Sequence, residues 1–182
     1  MARCFVISLM AALLSACVSQ PGVDNSLSKN TFPGLEASTS WQVRGKMGVR
    51  SVNGNANLGF VWNETPGHFD ISLKGIMGVA VADITGGPQL VTLNLPDGRQ
   101  YRDASVESLL AEQLGYELPV SMLRYWVRGI SDPSYPASKF VDGFSQQGWR
   151  IQYPQYGVHG PRKILIERAD VRVKLVTLEW IY

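Results

Sequence analysis

The stretch WQVRGKMGVR, residues 41–50, alternates between apolar and polar side chains with a period of two. One face of this stretch holds Trp41, Val43, Gly45, Met47 and Val49. Such alternation is typical of a β-strand that turns one face toward a core and the other toward water. We therefore predict that a strand begins at Trp41 and that its apolar face belongs to the interior.

The same period continues along the chain between recognisable turns. The strand-like stretches are NANLGFVWN (55–63), HFDISLK (68–74), residues 79–84, QLVTLNL (89–95), GWRIQY (148–153), KILIER (163–168) and VRVKLVTLEWIY (171–182). Each has one apolar face and one polar face, which is the pattern of antiparallel strands with one face in water. The sequence therefore predicts a meander of antiparallel strands.

Between residues 105 and 129 the pattern becomes helical. Ser105 is placed to cap a helix that Gly115 ends, and a second helix follows Pro119 and stops at Gly129. An irregular, proline-rich link over residues 132–138 precedes the return of the strands. Because strands and helices do not alternate, the fold class is α+β. We expect both helices to lie against the concave, apolar face of one curved antiparallel sheet.

The chain opens with MARCFVISLMAALLSAC, residues 1–17. Arg3 and the apolar run after it predict a secretory signal peptide over residues 1–16. The segment Leu14–Cys17 resembles the lipobox of bacterial lipoproteins, which implies that Cys17 is acylated and begins the mature chain. Val18 follows in place of an aspartate, and by the same resemblance this favours the outer membrane.

Residues 17–40 are predicted to form a lipidated N-terminus and a flexible tether, because small polar residues dominate and no period is present. Residues 41–182 are expected to form one domain. Of the two cysteines, Cys4 leaves with the signal peptide and Cys17 carries lipid. The mature domain then has no thiol for a disulfide, a metal or a nucleophile.

Charge and motif content argue against several classes of function. The chain has 17 Lys and Arg residues against 15 Asp and Glu residues, with no basic block. This balance argues against nucleic acid as a partner and against electrostatic membrane binding as the main activity. His68 and His159 lack carboxylates at metal-ligand spacing, and no nucleophile or phosphate-loop motif is present. We predict no enzyme activity, no cofactor and no metal, with a small hydrolase or lipid-modifying enzyme of the periplasm as a competing hypothesis.

The segment Gly75, Ile76, Met77, Gly78 is an unusual hairpin tip, because such tips normally carry polar residues or glycine. We predict that Met77 is exposed, and that Ile76 is either exposed or buried against a helix. The chain is also rich in methionine and aromatic residues, which suits a solid core or a deformable cavity for acyl chains. The residues expected to line such a cavity are Met47, Phe60, Trp62, Phe69, Ile71, Leu109, Leu114, Met122, Leu123, Trp126 and Trp180.

An ordered set of segments resembles the LolB family of outer-membrane lipoprotein receptors. These segments are DGRQY (97–101), LLAEQLGYELP (109–119), LRYWVRGISDP (123–133), GWRIQY (148–153) and LEWIY (178–182). The similarity covers about residues 41–182, and the tip falls where the family has a protruding loop with an exposed apolar residue. Two features depart from the family pattern: little room is left for a helix before Trp41, and Arg128 stands where the second helix normally ends less polar.

The resemblance implies a fold and a function. The fold is a half-open antiparallel barrel of about eleven strands, closed by helices and shared with the periplasmic carrier LolA. The function is to accept client lipoproteins from a LolA-like carrier and to insert them into the inner leaflet of the outer membrane without nucleotide hydrolysis. By position, Met77 matches the exposed residue of the family's membrane-insertion loop, and the protein is expected to be a monomer. The alternative is a lipid-anchored envelope scaffold with a solid core.

Overall fold

The computed structural model describes residues 31–115 and 117–182. Strands β1 (Trp41–Ser51) and β11 (Val171–Ile181) pair with each other in the middle of a single sheet. The other edge of β1 pairs with β2 (Gly54–Thr65). These three strands, of 11, 11 and 12 residues, join the beginning of the domain to its end.

Two meanders extend from this centre. The first meander continues from β2 through β3 (His68–Lys74), β4 (Ala80–Gly86), β5 (Val91–Asn94) and β6 (Gln100–Asp103). The second meander continues from β11 through β10 (Pro161–Arg168), β9 (Trp149–Tyr156), β8 (Gly143–Gln146) and β7 (Ala137–Phe140). All neighbours are antiparallel, and within the described residues β6 and β7 are the two edges of an eleven-stranded sheet that is not closed. The predicted α+β class and the half-open antiparallel sheet are confirmed.

Gly45, at the centre of the sheet, leaves room for the aromatic ring of Phe60 to lie over strand β1. A Cβ atom on Gly45 would lie 2.5 Å from the carbonyl oxygen of Val176 and 2.8 Å from the ring of Phe60. The pairing of β1 with β11 is also irregular at this point, between Arg44 and Gly45. The Phe60 ring therefore occupies the space that any larger residue at position 45 would need.

Helix α2 (Val106–Leu114) begins and ends as the sequence predicts. The Ser105 hydroxyl accepts a hydrogen bond from the Ser108 N–H at 3.3 Å. Gly115 adopts a left-handed conformation with φ of 72°, and its N–H donates to the carbonyl of Ala111. Both predicted boundaries of this helix are confirmed.

Helix α3 (Val120–Trp126) is shorter than predicted. The N–H groups of Arg128 and Gly129 bond to the carbonyls three residues earlier, so residues 127–129 form a turn and the regular helix stops before Gly129. No helix among the described residues is long and apolar enough to cross a membrane.

Glu107 joins the two helices. Its Oε1 atom accepts hydrogen bonds from the Ser121 N–H at 2.8 Å and from the Ser121 hydroxyl at 2.7 Å. Burial raises the pKa of this carboxyl, but the hydrogen bonds from Ser121, from the Glu107 backbone N–H and from the Ser105 hydroxyl together hold the pKa below its usual value. The ionised carboxylate is therefore the form that links α2 to the start of α3.

The sequence predicts an irregular link over residues 132–138 and no strand between that link and Gly148. This prediction is wrong, because the structure has strands β7 and β8 in this region. Each strand has only four residues, ASKF and GFSQ, which is too few to produce a recognisable period. The buried Gln146 holds this region together: its Oε1 accepts from the indole of Trp126 and the N–H of Asp132, and its Nε2 donates to the carbonyls of Asp132 and Tyr135. These tertiary hydrogen bonds, rather than a local sequence pattern, hold β8 and the residues before β7 in place.

The N-terminal boundary of the domain is also corrected, because the predicted tether over residues 17–40 contains helix α1 (Pro33–Ala37). Leu35 in this helix is completely buried. The Arg128 guanidinium donates to the carbonyls of Glu36 at 3.2 Å and Ser38 at 3.1 Å. Arg128 thus attaches α1 to the domain. Residues 1–30, including Cys17, lie outside the described residues.

Candidate functional site

An apolar cavity of about 260 Å³ lies between the first meander and the helix pair. Strands β1 to β4 and β11 form one wall, while α2, α3 and the segment between them form the other. All lining residues are apolar or aromatic. The indole N–H of Trp62 is the polar group of that wall, and it donates to Glu64 Oε2 at 3.1 Å. Among its described lining residues, the cavity therefore offers apolar contacts and no charged side chain.

The cavity brings together five of the eleven residues that the sequence selects as lining residues: Met47, Phe60, Trp62, Ile71 and Leu123. Sequence reasoning missed others, including Val49, Leu58, Leu73, Leu110 and Val120. The strand members of this group lie two positions from a selected residue. The alternation with a period of two therefore already placed them on the same face of the strand as that residue. The helical members had no comparable signal, because an apolar stripe does not fix how a helix is rotated against a sheet.

The remaining selected residues lie elsewhere. Phe69, Leu109 and Trp126 are buried in other parts of the core, and Met122 is half-buried. Trp126 faces the second meander, where its indole ring packs 6.2 Å from that of Trp149. Trp180 packs against Trp41, with 5.9 Å between the ring centroids. The placement of the Leu114 side chain lies outside what the structure describes.

A polar contact fastens α3 to the sheet beside the cavity. Arg124 on α3 lies 3.5 Å from Glu64 on β2, and its guanidinium stands 5.6 Å from the centre of the Phe69 ring. Burial raises the pKa of the Glu64 carboxyl, and the charge of Arg124 only partly opposes this. The site thus combines an apolar interior with a half-buried ion pair at its margin.

The hairpin tip between β3 and β4 is a short 3₁₀ turn over Ile76–Gly78. Hydrogen bonds from Gly75 N–H to the Val79 carbonyl and from Gly78 N–H to the Gly75 carbonyl close the turn at 2.7 Å and 3.2 Å. Met77 has φ of 60°, a left-handed conformation that is unfavourable for its side chain, and it is 97% exposed. The placement of the Ile76 side chain is not among the described features. The turn therefore presents a large apolar residue to the surroundings.

Comparison with known proteins identifies one family model and several similar proteins. The family model described as "Outer membrane lipoprotein LolB" matches residues 39–180. A protein from Pseudomonas fluorescens named "Outer-membrane lipoprotein LolB" is 34% identical, with 98% of this chain and 96% of the relative covered. A protein of the same name from Pseudomonas aeruginosa is 32% identical, with 98% and 95% covered. Among solved structures, a LolA superfamily protein from Nitrosomonas europaea is 8% identical, with a TM-score of 0.49 and coverage of 83% and 93%.

Proposed function

The chain belongs to the LolB family of outer-membrane lipoproteins, and from that premise we propose that it receives lipoproteins from a LolA-like periplasmic carrier and inserts them into the inner leaflet of the outer membrane. Membership of the family makes it a lipid-anchored protein of the outer membrane that serves lipoprotein localisation. In the proposal, Cys17 carries the lipid, the residues after it form the tether, and the described domain binds the acyl chains of the client lipoprotein.

The proposed route follows from the cost of exposing an acyl chain to water. Each methylene group exposed to water costs about 0.8 kcal/mol, so a long chain does not cross the periplasm unprotected. The chain must pass from the cavity of the carrier to the cavity of the receptor and then into the bilayer. Direction without nucleotide hydrolysis requires affinity for acyl chains to rise from carrier to receptor to membrane.

The observation that carries this proposal is the apolar cavity between the sheet and the helix pair. Its volume of about 260 Å³ lies just below the range of roughly 300–1,000 Å³ that is typical of small-ligand sites. Long acyl chains therefore require α2 and α3 to move away from the sheet. A scaffold with a solid core, the competing hypothesis, does not account for an unfilled apolar space at this position.

An acyl-binding experiment tests the proposal with a matched pair of variants. Ala56 lines the cavity opposite Val49, whereas its neighbour Asn55 is exposed on the other face of β2. In the mature chain carrying Cys17→Ala, we expect Ala56→Phe to weaken binding of a fluorescent fatty-acid probe about tenfold. A phenyl ring takes the place of at least two methylene groups, each contributing about 0.8 kcal/mol.

The control, Asn55→Phe, adds the same bulk outside the cavity and is expected to leave probe affinity unchanged. Circular dichroism and urea unfolding establish that both variants are folded. Equal affinities in the two folded variants, or no saturable probe binding by the unsubstituted chain, would rule out the cavity as the acyl site.

A further inference from the structure

Three lysines lie close together on the exposed face of the sheet, although they are far apart in the sequence. Lys46 on β1 is opposite Gly59 on β2, and Gly59 is opposite Lys74 on β3. Lys174 on β11 is opposite Gly48, two residues from Lys46. Adjacent strands are about 4.8 Å apart, so Lys46 lies about 10 Å from Lys74 across the glycine.

The two glycines leave a depression between these lysines, which we call the lysine trough (Lys46, Lys74 and Lys174, with Gly48 and Gly59). It is an open groove of about 700 Å³, and Met77 of the hairpin tip lines the same groove. Gly48 and Gly59 carry no side chain, so the backbone of β1 and β2 forms the floor. The trough and the exposed apolar tip therefore form one continuous surface.

The charge of this surface is entirely positive. Among the described residues that line the groove, Arg44 is a fourth cation and no carboxylate is present. Arg44 is paired with Glu179 at 2.9 Å, whereas none of the three lysines takes part in an ion pair within the described part of the chain. Three unpaired ammonium groups thus surround a groove that is open to a ligand.

We propose that the lysine trough binds the phosphate groups of anionic phospholipids while Met77 enters the bilayer. A surface that inserts in a membrane interface combines an apolar residue at its tip with lysines that remain at the level of the headgroups. The nearly balanced composition of the whole chain conceals this arrangement, because the sheet register brings the lysines together. The trough orients the anchored domain so that its tip, rather than another surface, meets the leaflet.

The size of the effect follows from the number of lysines. Each basic residue close to an anionic leaflet favours binding by about fivefold, and the effect decays within a Debye length of about 8 Å at physiological salt. This inference rests on the proposed role of the tip in membrane contact, but it needs neither a carrier nor a client lipoprotein. An assay of the anchored receptor alone therefore tests lipid binding by the trough independently of lipoprotein transfer.

Substitutions at Gly59 can change the charge of the trough between Lys46 and Lys74. A Cβ atom at this position would lie 3.8 Å from the carbonyl oxygen of Lys74 and 3.9 Å from that of Gly45, which is ordinary contact. Position 59 therefore accepts a Cβ atom on the open face of the sheet, so Gly59→Glu adds a carboxylate between Lys46 and Lys74 and Gly59→Gln adds the same shape without the charge. The pair isolates electrostatics from packing.

The measurement uses the mature, lipidated chain in vesicles, with a polarity-sensitive dye on Val79→Cys. Val79 is 67% exposed beside the tip, and Cys17 is blocked by its lipid in this preparation. In vesicles of phosphatidylethanolamine and phosphatidylglycerol, we expect Gly59→Glu to lower the ratio of inserted to free tip about fivefold relative to Gly59→Gln. In vesicles of phosphatidylcholine alone, or at high salt, the two variants are expected to behave alike.

Equal insertion by the two variants in anionic vesicles would overturn the inference, as would equal insertion of the unsubstituted tip in anionic and neutral vesicles. If Gly59→Glu impairs lipoprotein transfer but leaves tip insertion unchanged, the trough contacts an acidic protein surface, and the assignment to lipid is wrong. Loss of acyl-probe binding with normal, lipid-dependent insertion would instead contradict the proposed transfer function alone.

Discussion

At the scale of single residues, Met77 combines two unfavourable properties that have no evident structural benefit. Its backbone is left-handed with φ of 60°, and its side chain is 97% exposed. A glycine or asparagine would relieve the first cost and a polar residue the second. We infer that the tip retains a methionine because the side chain has an apolar environment to enter, which in the proposed function is the outer membrane.

Replacement of Met77 by glutamate tests this role. We expect Met77→Glu to accept lipoprotein from the carrier at the normal level, because position 77 lies outside the cavity. Insertion into vesicles is expected to fall about tenfold or more, since a carboxylate resists entry into hydrocarbon. The two steps are measured separately, by co-purification of the lipoprotein with the variant and by its recovery in floated vesicles.

Val141→Glu is the matched control, because Val141 is 82% exposed in the turn between β7 and β8, away from the tip. We expect this variant to insert lipoprotein normally. Unimpaired insertion by Met77→Glu, or equal losses in both variants, would remove the tip from the mechanism.

At the scale of secondary-structure elements, the contribution of the Glu107 link between α2 and α3 to stability can be measured as a function of pH. Burial opposes ionisation of Glu107, but its hydrogen bonds from Ser121, from Ser105 and from its own backbone N–H together make its pKa lower in the folded than in the unfolded chain. A carboxyl with a depressed pKa stabilises the fold above its unfolded pKa, near 4.5, and loses this contribution as the pH falls through the folded value. At neutral pH its contribution is fully present.

We therefore expect Glu107→Gln to lower the free energy of unfolding by about 1 kcal/mol at pH 7, as measured by urea titration. The difference from the unsubstituted chain is expected to shrink as the pH falls below about 4.5. Glu112→Gln, an exposed position on the same helix, serves as the control and is expected to have little effect. A pH-independent difference would show that the charge of Glu107 does not contribute to the link.

The elements with strong local signals were predictable from the sequence. The long strands follow from their period of two, and α2 follows from a cap at Ser105 and a glycine stop at Gly115. Strands β7 and β8 were not predictable, because they depend on bonds from Gln146 to residues 11 to 20 positions away. Helix α1 is likewise held by hydrogen bonds from Arg128, which is about 90 residues further along the chain.

The same distinction explains the candidate site. The alternation of β1 to β3 identifies Met47, Phe60, Trp62 and Ile71 on the cavity wall. It does not reveal that Trp126 faces the second meander, because that choice is made by the hydrogen bond from its indole to Gln146. Residues on strands are thus better predicted than residues on helices, whose rotation is set by tertiary contacts.

At the scale of the whole molecule, the interior is divided between the two meanders. The second meander packs around the buried aromatic side chains of Trp126, Trp149, Phe144 and Tyr153, whereas the first meander and the helices enclose the cavity. The cavity lies beside the hairpin that bears the exposed tip, because Leu73 and Val81 on the two strands of that hairpin line it. We expect this division to allow the helices to move without unfolding the sheet.

In the proposed function, the domain takes over the acyl chains of a lipoprotein spontaneously. The most direct measurement mixes the mature chain carrying Cys17→Ala with a purified complex of a LolA-like carrier and a lipoprotein, in the absence of nucleotide. Separation of the two proteins then reveals which one holds the lipoprotein. We expect the lipoprotein to move onto this chain; its retention by the carrier, with the domain correctly folded, would contradict the transfer function and favour a scaffold.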